Sequence, residues 1–256
     1  MNGNGKVVLV SGAASGMGRL AARNAAKAGG KVAALDVDEE GLRETAEGID
    51  AITAINVDVT DSAAVGDAVK RVESELGPID RVYNAAAIMP LGRLVEQDTS
   101  LIHKIMDINY GGLVNLTKAT LPGMLSRRSG DMILFASMAG WMPAIYCGAY
   151  NASKFAVVAF SEVLYHENRG SGVRFCCVCP PPVATPLLDQ GRATVWPKVF
   201  DEAPPIEPQD VLDAIDESLA KGKFWVFPGK GTTMGWRVRR FIPEVVWKRM
   251  HKSEGV

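Results

Sequence analysis

The sequence has almost no excess charge of either sign. Its 28 Lys and Arg stand against 29 Asp and Glu, a net charge of −1 over 256 residues, which argues against a nucleic-acid binder with a strongly basic body. Long apolar runs are missing at the start of the chain. The first, Val7–Val10, stops at Ser11-Gly12, whereas a secretory leader needs roughly 7–15 apolar residues and a membrane-spanning helix about 20. Neither is expected. There are only four cysteines. Cys176, Cys177 and Cys179 crowd into one apolar run and Cys147 stands apart, so they read as reduced, small core side chains of a cytoplasmic protein rather than a metal site. Linkers, repeats and low-complexity stretches are absent, so 1–256 is expected to be one domain. With 47% apolar and 22% charged residues, disorder, collagen and coiled coil are excluded.

What is present is a strand-then-helix rhythm. Apolar strand candidates are Lys6–Ser11, Lys31–Asp36, Ala51–Asp58, Arg81–Ala85, Asp131–Ser137, Arg174–Pro180 and Phe224–Pro228. Most are near-continuous apolar runs, as expected of strands covered on both faces. Helical patterns fall between them at Met17–Ala28, Glu39–Glu47, Ser62–Leu76, Ser100–Thr120, Tyr150–Glu167 and Pro208–Ala220. The alternation predicts an α/β domain with a doubly wound parallel sheet and helices on both faces. Two segments break the rhythm. Residues 186–208 hold five prolines and no clear period, which is the habit of a substrate lid. From Gly229 to the end, the chain is basic and rich in tryptophan.

The first strand runs into Ser11-Gly12-Ala13-Ala14-Ser15-Gly16-Met17-Gly18. Between a strand and a helix, glycines allow a tight turn and let bare backbone N–H groups approach a pyrophosphate, which the helix amino terminus favours electrostatically. Asp36 ends the second strand, eighteen residues after Gly18, where its carboxylate can accept hydrogen bonds from both ribose hydroxyls of an adenosine. Asp58-Val59 ends the third strand and is a candidate wall for the adenine. After the fourth strand, Asn84-Ala85-Ala86-Ala87 leaves room at the carboxyl edge of the sheet. No Arg or Lys stands at Ser15 or Val37 to neutralise an adenosine 2′-phosphate, so NAD(H) is expected over NADP(H).

Tyr150 and Lys154 are four residues apart in a helical stretch, which puts them on one face. A nearby ammonium favours the phenolate and is expected to move the tyrosine toward the working pH range. Ser137, at the end of the fifth strand, can donate to a substrate oxygen. Asn109 is expected to anchor a water leading to Lys154.

With these residues in hand, the chain over about residues 5–228 resembles the short-chain dehydrogenase/reductase family. The resemblance rests on the glycine turn, Asp58-Val59, Asn84, Asn109, Ser137, Tyr150 and Lys154, with Pro180, Val183 and Thr185. It implies a Rossmann fold, a nicotinamide cofactor and an Asn–Ser–Tyr–Lys tetrad. In it, Tyr150 exchanges a proton with substrate, Ser137 orients the substrate oxygen, and Lys154 binds the nicotinamide ribose. The cofactor set is Gly12, Ser15, Gly16, Met17, Gly18, Asp36, Asp58, Val59, Asn84, Ala86, Tyr150, Lys154, Pro180, Val183 and Thr185, the last two holding the carboxamide. The family's usual Asn-Asn-Ala-Gly is Asn84-Ala85-Ala86-Ala87 here, and its usual Pro-Gly is Pro180-Pro181. The family also implies dimers or tetramers through the Ser100–Thr120 and Tyr150–Glu167 helices.

The residues expected to line the substrate cleft are mostly apolar: Met89, Met138, Met142, Leu187 and Leu188, with Ser137 and Tyr146 adding polar tips. They fit a large hydrophobic alcohol or ketone. Residues 230–256 hold seven basic and two acidic side chains, leaving −6 for the rest of the chain. Interleaved with Trp236, Phe241, Ile242 and Trp247, these charges suit either packing over the cleft or contact with a membrane surface. The rival to an enzyme is a non-catalytic dinucleotide-binding regulator, against which the intact Ser137, Tyr150 and Lys154 argue. A sugar-nucleotide epimerase would need a larger carboxy-terminal substrate domain than the stretch after the last strand.

Overall fold

The apolar runs become strands β1 (Val7–Ser11), β2 (Lys31–Asp36), β3 (Ile52–Asn56), β4 (Ile79–Asn84), β5 (Gly130–Phe135), β6 (Val173–Val178) and β7 (Trp225–Val226). In this computed structural model, which describes residues 5–202 and 204–255, they form one parallel seven-stranded sheet in the order β3-β2-β1-β4-β5-β6-β7. The first four residues of the amino-terminal stretch, one residue of the 186–208 segment and the last residue of the tail lie outside the described residues. Helices α1 (Gly16–Lys27), α2 (Glu39–Ala46) and α8 (Pro208–Ala220) pack against one face. Helices α3 (Ser62–Glu75), α5 (Gly112–Arg127) and α6 (Gly148–Glu167) pack against the other. The fold is a single-domain α/β Rossmann arrangement, as the rhythm of the sequence predicts.

The side-chain alternation of the strands explains why they read as continuous apolar runs. Val7 and Leu9 enter one core layer, Val8 and Val10 the other; Cys177 and Cys179 face one layer and Cys176 the opposite one. A strand buried on both sides must be apolar at every position. All four cysteines are free and buried.

Two helix starts are capped by aspartate. Asp61 accepts hydrogen bonds from the N–H groups of Ala63 (2.9 Å) and Ala64 (3.0 Å) at the head of α3. Asp38 does the same for Gly41 (3.1 Å) at the head of α2.

Three expected elements differ. The Ser100–Thr120 helix is instead α4 (Thr99–Met106), a π-helical turn at Asp107–Gly111, and α5, which continues through Pro122 to Arg127. The wider turn is a local irregularity that the apolar period does not reveal. The last strand keeps only two residues of Phe224–Pro228. The 186–208 segment is not aperiodic: it contains α7 (Pro186–Arg192), a 3-10 turn at Lys198–Glu202 and a bridge between Val183 and Ile206. Beyond β7 the tail folds as two helices, α9 (Thr232–Phe241) and α10 (Pro243–Glu254), with Pro243 in the first turn of the second.

The order places β1 beside β4, with connections leaving to opposite faces. That reversal opens a crevice at the carboxyl ends of the strands, where α/β sheets bind ligands.

Candidate active site

The glycine turn sits at the carboxyl end of β1, and its glycines are required by geometry. Gly12 and Gly16 have φ of +69° and +52°. A Cβ on Gly12 would lie 2.8 Å from the Ala86 backbone, and one on Gly18 would lie 2.0 Å from the Gly12 carbonyl oxygen. Ser15 caps α1 without a side-chain hydrogen bond, and the first turn of that helix holds no acidic residue. The positive end of α1 is therefore left for an anion. Thr185, on the loop after β6, borders the turn: a Cβ on Gly16 would lie 3.4 Å from its side chain.

The edges of this crevice hold the expected residues. Asp36 accepts hydrogen bonds from the N–H of Ala14 (3.0 Å) and of Asp38 (3.1 Å), which fixes its carboxylate beside the glycine turn. Asp58 is exposed and accepts from the N–H (2.8 Å) and hydroxyl (2.7 Å) of Thr60. Val59 is buried against Gly112. Asn84 is buried and donates to the Leu113 carbonyl (3.0 Å), while the N–H groups of Ala85 and Ala86 donate to the Ser11 hydroxyl at 3.1 and 3.3 Å. The alanines that replace an amide and a glycine thus leave the backbone tied to β1. A nicotinamide dinucleotide fits these residues, because the crevice is a cradle that side chains would fill, with an uncapped helix end at one side and a fixed carboxylate at the other.

Ser137, Tyr150 and Lys154 come together past the ends of β5 and in α6. The Ser137 hydroxyl donates to the Pro180 carbonyl (3.5 Å) and accepts from the N–H of Ala139 (3.1 Å), and it neighbours the Tyr150 phenol. The Lys154 ammonium lies 5.7 Å from the centre of the Tyr150 ring and donates to the Phe135 carbonyl at 3.0 Å. Both groups are buried. Burial lowers the Lys154 ammonium to about 8. It raises the Tyr150 phenol, and the neighbouring Ser137 hydroxyl opposes that rise. The expectation that the ammonium leaves the phenol below its ordinary value is therefore corrected. The cost of placing a phenolate in an apolar pocket outweighs the nearby charge, which is turned toward Phe135.

Asn109 is buried beside the helix that carries Tyr150 and Lys154. It occupies the π-helical turn and spends its amide on protein groups: it accepts from the N–H of Ile88 (2.8 Å) and donates to the Ile88 carbonyl (3.0 Å) and the Ser153 hydroxyl (3.0 Å). Ser153 in turn donates to the Tyr150 carbonyl at 2.8 Å. Asn109 thus ties the chain after β4 to the helix that carries Tyr150 and Lys154.

The expected substrate-lining residues fall into three neighbourhoods. Met89 and Leu188 join Tyr150, Cys147, Leu91 and Met250 in one buried apolar cluster, with Leu187 packed against it. Met138 and Met142 lie instead beside Gly235 of α9. Tyr146 holds a φ of +67° and lines a groove of about 390 Å³ with Pro143, Leu94 and Trp247. Gln190 of α7 accepts from the N–H of Met89 (2.5 Å), and Thr194 accepts from that of Leu91 (3.1 Å). These bonds hold the 186–208 segment down over the cluster.

Sequence reading missed four contributors. Thr45 on α2 donates to the Ala13 carbonyl at 2.8 Å, and Arg19 hydrogen-bonds to the Ala14 carbonyl and pairs with Glu44 at 2.8 Å. Ser153 is the partner of Asn109. Met250 comes from α10, a hundred residues after Tyr150. Only Arg19, one residue past the last glycine, had a positional signal. The rest are long-range contacts that no spacing reveals.

Comparison with known proteins agrees with this geometry. A family profile described as short chain dehydrogenase matches residues 6–196. The chain is 31% identical to 17-beta-hydroxysteroid dehydrogenase 13 from Rattus norvegicus, over 98% of this chain and 84% of that protein. It is equally identical to oxidoreductase UcpA from Escherichia coli K12, over 84% and 80%. Among solved structures, a short chain dehydrogenase/reductase from Burkholderia phymatum in complex with NAD superposes with a TM-score of 0.86, at 26% identity and covering 96% of both chains.

Proposed function

Because the chain belongs to the short chain dehydrogenase family, we propose that it is an NAD(H)-dependent oxidoreductase interconverting a secondary alcohol and a ketone on a large hydrophobic substrate. The observation that carries this reading is the Tyr150 phenol set in an apolar cluster with the Lys154 ammonium 5.7 Å from its ring centre and Ser137 beside it. A related solved structure with NAD and a relative named as a hydroxysteroid dehydrogenase support it.

Gly12, Ser15, Gly16, Met17, Gly18, Asp36, Val59, Val183 and Thr185 would hold the dinucleotide. When bound, it supplies the two-electron hydride chemistry that no side chain can. Tyr150 takes the hydroxyl proton of the alcohol at its phenolic oxygen in the oxidative direction and returns it to the ketone oxygen in the reductive one. Ser137 donates to the same substrate oxygen and keeps it within reach of the phenol. Lys154, charged below about pH 8, favours the phenolate once the site is engaged. The cluster of Met89, Leu91, Leu188 and Met250 excludes water and receives the apolar body of the substrate. A cytoplasmic setting and a homodimer or homotetramer belong to the same reading, with Phe155 and Val163 exposed on α6.

Turnover on secondary alcohols from propanol to steroids, with NAD as oxidant, tests the proposal. A rise with apolar size is expected. Preference for the smallest alcohol overturns the substrate class, and tight NAD binding without turnover on any alcohol favours a regulator.

A further inference from the structure

We propose that the α9–α10 tail docks on an anionic phospholipid surface. The two helices use their inner faces within the chain. Trp236 packs on Trp141 and Phe227 with ring centres 5.2 and 6.1 Å apart. Val246, Trp247 and Met250 pack into the cluster around Tyr150. Arg249 pairs with Glu202, and the N–H of Val199 donates to Glu254 at 3.3 Å, which fastens α10 to the 198–202 turn.

The outer faces are left over, and their composition is unusual. Met234, Phe241, Ile242 and Val245 are 63%, 75%, 52% and 54% exposed, the last three at the elbow between the helices and Met234 two turns back along α9. Exposed cations flank them at helical spacing. Met234, Arg237 and Phe241 share one face of α9, and Val245, Lys248 and Lys252 share one face of α10. Exposed apolar tips set between Lys and Arg side chains are the signature of a helix lying in a lipid interface: the tips enter the acyl boundary and the cations meet the headgroups.

Charge selects this occupant over a second copy of the chain. Residues 230–256 carry +5 and the remainder −6, so a two-fold contact through the elbow would set like charges against each other. An anionic surface attracts the tail and repels the body, which orients the molecule with the elbow down.

Co-sedimentation of the full chain with phosphatidylserine-rich vesicles, against phosphatidylcholine vesicles alone, tests the proposal. Binding is expected only to the anionic vesicles and should weaken as salt rises. Two independent double variants, F241S with I242S and R237E with K248E, should each lower the partition coefficient by about tenfold or more, at about fivefold per cation removed. All four sites are exposed, so the circular dichroism and thermal midpoint should hold. Absence of sedimentation with anionic vesicles overturns the proposal. So does sedimentation that both double variants leave unchanged, a change in oligomeric state caused by either variant without lipid, or tighter binding to duplex nucleic acid at the same salt. Lipid binding is read without turnover, so it stands or falls apart from the catalytic assignment.

Discussion

The Asn109 amide donates to the Ser153 hydroxyl at 3.0 Å, and through it the chain after β4 is tied to the backbone of Tyr150. The same Asn109 side chain accepts from the N–H of Ile88. Its side chain therefore braces the helix that carries Tyr150 and Lys154. Asn109→Ala leaves the half-buried Ile88 N–H unpaired and should cost about 1–3 kcal/mol of stability. Ser153→Ala removes one link and should cost less. Urea unfolding of both variants, read with kcat for the leading alcohol, separates the effects: Asn109→Ala should lower both stability and kcat.

Tyr150→Phe removes the proton donor and leaves the cradle of the glycine turn intact. General acid–base catalysis contributes roughly 10²–10⁴-fold, so kcat should fall at least about a hundredfold with NAD affinity nearly unchanged. Steady-state kinetics and cofactor titration check both. Retention of more than about a tenth of the activity is incompatible with Tyr150 as the proton carrier.

Lys154 gives a pH-dependent stability with a definite sign. Its ordinary value of 10.5 falls to about 8 in the folded chain because burial disfavours the ammonium. Between those values the unfolded state binds more protons, so stability rises with pH across the window, and the full cost of the buried charge is present below it. Lys154→Met removes that cost. The variant should gain roughly 3 kcal/mol at pH 7 and only about 1 kcal/mol at pH 9.5 without cofactor. Denaturant unfolding at the two pH values measures the difference, while activity should be lost at both.

Cofactor choice is expected to turn on Asp36. Its carboxylate is fixed by the N–H groups of Ala14 and Asp38, and the neighbouring Val37 side chain is exposed and uncharged. A carboxylate about 4 Å from a 2′-phosphate costs roughly 4 kcal/mol at an effective dielectric near 20, part of which solvent screens. A preference for NAD(H) over NADP(H) of at least about tenfold in kcat/KM is expected. Asp36→Ala with Val37→Arg should narrow or reverse it. Arg19 does not supply the missing cation, because Ala14, Gly41 and Glu44 already engage it.

Much of the framework was legible because it is local. The apolar strands announce a sheet covered on both faces. Gly12 and Gly18 stand where only a missing Cβ fits, and Gly16 where φ is positive. Ser137, Tyr150 and Lys154 could be picked out because each sits at a strand end or on one helix turn. What was misread depends on contacts across the chain: the π-helical turn under Asn109, the helix hidden in the proline-rich 186–208 segment, and the direction of the Tyr150 shift, which burial decides.

The sequence by itself determined the order of elements and the chemical types at the carboxyl edge of the sheet, since alternation, capping and turn geometry act within a few residues of chain. Only the tertiary structure decided how the pocket is closed. Met250 reaches Tyr150 from α10, while Met138 and Met142 turn to α9. The cations and apolar tips of the tail are sorted onto its outer face because the inner faces of both helices are taken by the core. Packing between segments a hundred residues apart sets such choices, and no local spacing encodes which of several apolar stripes will win the contact.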